Sequence, residues 1–146
     1  MTTMDSRLQC ALAAIDTANQ ADPNLEPFGD EHLPKEYAYS LHMTRWLFEL
    51  ESDPSERMQI ACRAQHIERW TMPRKDYPEG RKAYYQWRQA CGRMHGRRAA
   101  EIMAECGYPQ EECERVGTIL TKRELRKDAD TQLLEDVACM VFLEKY

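Results

Sequence analysis

Arg63-Ala64-Gln65-His66-Ile67-Glu68-Arg69-Trp70, followed at once by Pro73-Arg74 and Tyr77-Pro78, crowds polar chemistry into the end of an apolar helical pattern. The packing of a helical bundle needs no such density of polar groups. His66 and Glu68 are of the types that bind cations or move protons. Arg63, Arg69 and Arg74 carry the planar fork that suits carboxylate or phosphate, and Gln65 adds a neutral donor and acceptor. Three other segments each offer one further ligand-type side chain: His42, His95 and Asp136. Together they point to a polar pocket. A pocket lined this way suits a metal ion or an anion.

Each of these residues also has a plain structural reading. His42 stands at (i, i+4) spacing from Trp46 and serves equally as a packed histidine. His66 ends a helix, where a cation is favoured by the helix dipole. Asp136 has Gln132, Leu133, Cys139 and Met140 as helical neighbours, beside apolar positions, so it requires a cation, donors or a metal. An ion pair with an arginine would satisfy it as well as a metal. Glu135 poses the same problem.

Charge is distributed unevenly. Residues 63–98 carry ten Lys/Arg against Glu68, Asp76 and Glu79, a local net of +7 within a chain of net −5. The acidic remainder argues against a protein that coats nucleic acid through bulk charge. A basic strip in an acidic protein suits one localised anionic partner, phosphate foremost, or ion pairs with neighbouring acidic helices. Trp70, Tyr77, Tyr84, Tyr85 and Trp87 interleave with the basic residues, a mix compatible with base stacking or with core packing.

These side chains must be positioned by helices. With 146 residues the chain fits one domain, 1–146, able to bury a core without disulfides. Six helical segments are expected and no strand. The first spans about Ser6 to Ala21 and stops at Asp22-Pro23-Asn24, because the residue before proline avoids the α region. Leu25 to Leu33 is expected to be a loop. The second helix runs from Pro34 to about Glu51, and the third from a cap at Asp53, with Glu56 three residues on, to about Arg69. The fourth covers Glu79 to Cys106, and Gly107-Tyr108-Pro109 opens the fifth, ending near Thr121. After a charged connector, Asp128 or Asp130 caps the sixth. Its stretch Leu133–Leu143, apolar almost all round, is expected to be the central helix. His42 and His66 fall at similar heights on the second and third helices, which predicts rings that face each other.

The six cysteines form no Cys-x-x-Cys pair and lie mostly among apolar neighbours. They are read as buried, reduced thiols, which implies a cytoplasmic protein. No basic-then-apolar leader and no apolar run of roughly 20 residues is present, so no membrane partner is expected.

The order His42, His66, His95, Asp136 resembles the HD superfamily of metal-dependent phosphohydrolases, whose ligands run His, a His-Asp pair, an optional further His, then Asp. The resemblance implies an all-α, HD-domain-like fold, a metal at His42, His66 and Asp136, and hydrolysis of a small phosphate-containing compound. His66 is followed by Ile67, not Asp, which removes the ligand that bridges two metals, and Lys122 stands where a further histidine would be. What the resemblance then implies is one ion held by His42, His66 and Asp136 with an open position for water, and His95 or Glu68 to move protons; or, without the ion, an anion pocket of Arg63, Arg69 and Lys122. The alternative is a non-catalytic helical module that binds an anionic ligand, nucleic acid or a protein through residues 63–98. Over nearly the whole chain there is also a closer resemblance to a bacterial and fungal family of unknown function. It is carried by Gln65-His66-Ile67-x-Arg69-Trp70, Trp87-Arg88 and Leu134-Glu135-Asp136-Val137-Ala138-Cys139. Members of that family extend past the position of Tyr146, which implies a natural domain that continues.

Overall fold

The computed structural model describes residues 3–122 and 127–146, with side chains from residue 6 onward. Six α-helices dominate: α1 (Thr3–Gln20), α2 (Lys35–Leu50), α3 (Glu56–Arg63), α4 (Arg81–Glu105), α5 (Gln110–Thr121) and α6 (Ala129–Lys145). The all-α expectation holds. The connector between α5 and α6 falls largely outside the described residues.

Leu25 to Leu33 is not a loop. Strands β1 (Leu25–Phe28) and β2 (Glu31–Pro34) pair antiparallel, with Leu25 opposite Pro34 and Phe28 opposite Glu31. Gly29, at φ +60°, takes the first position of the two-residue turn, where a side chain would be strained. Both strands are short and mostly exposed, so they leave little of the alternation that marks a strand.

The central element is α3 rather than α6. Met58, Ile60, Ala61 and Cys62 of α3 are buried against Ile15 of α1, Leu47 of α2, Val116 of α5 and Val137 of α6. On α6, Leu134, Val137 and Val141 form one inward stripe, whereas Phe142 and Leu143 are exposed. Helices α4 and α5 approach most closely at Gly96, where a Cβ would lie 2.9 Å from the Gly117 carbonyl oxygen.

Two helix ends differ from expectation. Ser55, not Asp53, caps α3, its Oγ accepting from the Met58 amide at 3.2 Å. That helix stops at Arg63 instead of Arg69. Beyond it the chain turns through Glu68, which is held left-handed at φ +56° while its amide donates to Asn19 Oδ1. Asp128 caps α6 as expected, accepting from the amides of Asp130 and Thr131.

The cysteines are not all reduced. Cys10 on α1 and Cys106 at the end of α4 are joined by a disulfide, with their Cα atoms 5.7 Å apart. Nothing local signals the pair, which lies 96 residues apart in sequence. Cys62, Cys91 and Cys113 are buried free thiols, and Cys139 is free and exposed. Among the described residues no helix is long and apolar enough to cross a membrane.

Candidate functional site

The chain leaving α3 packs beside α4 and the start of α2, and this junction forms the floor of a cleft of about 790 Å³. That volume lies within the range of small-molecule sites, roughly 300–1,000 Å³. Gln65, His66 and Arg69 come from the post-α3 turns, Arg88, Cys91 and His95 from α4, and Lys122 from the end of α5. Tyr84, Tyr85 and Trp87 of α4 form one wall, and Phe142 of α6 also lines the cleft.

His66 is the best-supported side chain of the floor. Its ring stacks on Tyr39, centroids 3.9 Å apart and planes 9° from parallel. Its Nδ1 lies 3.2 Å from Glu36 Oε1. Glu36 is in turn positioned at the first turn of α2, where its amide donates to Asp22 Oδ2 at 3.0 Å. Burial is the largest influence on the Glu36 carboxyl and raises it to about 7, against smaller opposing effects of Arg69 and Lys35. Burial, then the nearby Arg69 and Lys122 cations, holds His66 well below the ordinary histidine range. At neutral pH the pair is therefore a neutral imidazole beside a carboxyl that exchanges its proton readily.

His95 is fixed more tightly still. Its Nδ1 lies 2.9 Å from the Ile67 carbonyl oxygen. A carbonyl only accepts, so Nδ1 carries the proton. Burial, followed by the neighbouring His66, pushes this ring down to about 3. The imidazole is neutral at physiological pH, and Nε2 keeps its lone pair. The two rings are 6.1 Å apart between centroids.

Positive charge surrounds this neutral floor. The Arg69 guanidinium lies 4.8 Å from the centre of the Trp87 ring, with Nη1 3.4 Å from both ring nitrogens of His66. Equal approach to both nitrogens puts the cation against the ring rather than in one in-plane hydrogen bond. Arg88 lies 5.9 Å from the Tyr84 ring centre. Among the described residues neither arginine makes an ion pair, while Lys122 pairs with Glu135 at 2.6 Å. Trp87 secures the wall by donating its indole N–H to the Met72 carbonyl at 2.7 Å. Burial pushes the Cys91 thiol up, so it is no thiolate nucleophile at neutral pH.

Half of the expected site assembles here: Gln65, His66, Arg69, His95 and Lys122. The others lie elsewhere. Arg63 is committed to Asp16 through two hydrogen bonds of 2.7 and 2.9 Å and to Thr44 Oγ1 at 3.0 Å. Arg74 donates to the carbonyls of Tyr77, Pro78 and Gly80, clasping its own loop. Glu68 accepts from Arg98 Nε at 2.9 Å. Asp136 is exposed and pairs with Gln132, on the side of α6 away from the Leu134–Val137–Val141 stripe. Its neighbour Glu135 is the carboxylate that finds a basic partner.

His42 stacks on Phe28 of the hairpin, centroids 5.1 Å apart, and burial is the main cause of its lowered pKa. Because α3 ends at Arg63, His66 lies on a turn and meets Glu36 and Tyr39, not His42. Among the described residues no three His, Cys, Asp or Glu side chains are grouped to hold a metal ion. The proposed ligand set of His42, His66 and Asp136 is thus not brought together. Glu36 and Tyr39 were missing from the sequence reading. The only hint was an acidic residue in the first turn of a helix, which the dipole alone explains.

A second cleft of about 480 Å³ includes Arg57, Tyr108 and Glu112. Arg57 pairs there with Glu112 and Tyr108 with Glu56, while Arg7 lies over the Tyr108 ring, with its buried Nε lacking a hydrogen-bond partner among the described residues.

The fold and cleft together define an all-helical domain with a basic, aromatic-walled pocket over buried neutral histidines. The chain belongs to the family described as a domain of unknown function (DUF4202), whose model matches residues 9–146. No curated protein and no solved structure matches it.

Proposed function

We propose that the cleft binds a small phosphate-bearing compound over a floor of neutral histidines, with Glu36 behind His66 as the group able to exchange a proton near neutral pH. The observation that carries this reading is the convergence of Arg69, Arg88 and Lys122 on one cavity, two of them without a carboxylate partner among the described residues. Cations left unpaired beside aromatic rings and neutral imidazoles favour an incoming anion, and guanidinium forks match phosphate oxygens. His95, with its proton fixed on Nδ1 and its ring pushed down to about 3, keeps Nε2 as a hydrogen-bond acceptor rather than as a base. Glu36, raised to about 7 and 3.2 Å from His66 Nδ1, is the group matched to proton exchange near neutral pH. Hydrolysis of a phosphate compound, the chemistry suggested by the HD-like pattern, is compatible with these groups. The divalent ion of that pattern has no assembled three-residue ligand set among the described residues.

Calorimetric titration with inorganic phosphate and pyrophosphate at low salt tests the reading. Arg69→Gln should weaken binding about 10- to 100-fold, the worth of a charged hydrogen bond. Arg97→Gln, at an exposed arginine of α4 that faces Glu101, should leave binding unchanged. Absence of binding by the wild type, or equal loss in both variants, would overturn it.

A further inference from the structure

The cleft is larger than its cations require, and the surplus is aromatic. Inorganic phosphate would occupy a small part of 790 Å³. The remaining lining includes Tyr84, Tyr85 and Phe142, which are 40%, 50% and 63% exposed. Large rings left this open in one cavity are not serving the core. Tyr84 is also arranged for stacking rather than for burial. It lies edge-on to Tyr85 at 6.0 Å and tilted to Trp87 at 5.8 Å, with Arg88 against its ring. Cations surround the neutral histidine floor, and the exposed rings line the same cavity.

Building on the phosphate site, we infer that the ligand is a phosphate ester carrying a planar aromatic ring. Arg69 and Lys122 take the phosphate, and the ring stacks on Tyr84, Tyr85 and Phe142. Nucleoside monophosphates and simple aryl phosphates share this chemistry. They differ in the spacer between ring and phosphate, since a sugar intervenes in the first and nothing in the second. Arg69 and Arg88, which make no ion pair among the described residues, serve both ends, because guanidinium planes stack on rings as well as pairing with phosphate.

The test compares AMP, phenyl phosphate, ribose 5-phosphate and inorganic phosphate by calorimetry on the whole chain. At least one ring-bearing ester should bind about 5- to 150-fold tighter than ribose 5-phosphate, the range expected for one stacked ring. The tighter of AMP and phenyl phosphate identifies the spacer. Tyr85→Ala and Phe142→Ala should remove that advantage, and Tyr85→Phe should keep it. If phosphate binds but neither ring-bearing ester gains over ribose 5-phosphate, the aromatic inference fails while the phosphate site stands. If no compound binds, both fail.

Discussion

Glu36 offers the sharpest test of the buried floor. Its carboxyl titrates at about 7 in the folded chain against an ordinary 4.5, chiefly through burial. Between those values the native state holds more protons than the unfolded chain, so stability falls as pH rises. Integrated from about pH 5 to about pH 8, this one group removes about 2–3 kcal/mol. Glutamine preserves the size of Glu36 and its hydrogen bond to His66 but does not titrate. Glu36→Gln should therefore gain about 2–3 kcal/mol on the wild type between those two pH values, measured by urea unfolding. Comparing the proteins at each pH cancels the opposing slope of His95, whose depressed pKa makes stability fall as pH drops below 6.5 toward 3. An equal stability difference at both pH values would refute the claim that Glu36 is buried with a raised pKa.

Other consequences can be checked independently. Arg63→Ala should cost about 1.5–3 kcal/mol through loss of its charged hydrogen bonds to Asp16, yet leave phosphate affinity unchanged. Gly96→Ala should cost on the order of 1–3 kcal/mol, because its Cβ meets the Gly117 carbonyl at 2.9 Å, while Gly117→Ala, whose nearest contact is 3.6 Å, should be tolerated. Cys10→Ser should lower stability by about 2–4 kcal/mol in thermal or urea unfolding. Thiol titration of the unreduced, denatured wild type should find the four free cysteines, and six reactive thiols would contradict the disulfide.

The helices were legible where breakers and caps act locally, as at Asp22-Pro23, Gly107-Tyr108-Pro109 and the Asp128 cap. The hairpin was not, because four-residue strands with mixed exposure carry no clear period. On α6 the apolar positions were too numerous to define a face. The stripe that won, Leu134–Val137–Val141, puts Asp136 and Cys139 outward. Gln65, His66 and Arg69 were visible as a dense local cluster after α3. The rest depends on contacts across long separations. Whether Arg63 is free turns on Asp16, 47 residues away, and whether His66 is a ligand or a supported base turns on Glu36, 30 residues away. Such pairings follow from how α1, α2 and α3 pack, which no local pattern records.

An amide chemical-shift map during titration with inorganic phosphate tests the cleft most directly. Binding there should gather the largest changes at Gln65 to Arg69, Arg88 to His95 and Leu120 to Lys122, the segments that line the cleft. Changes centred on His42 or Asp136 instead, or none at saturating phosphate, would contradict it.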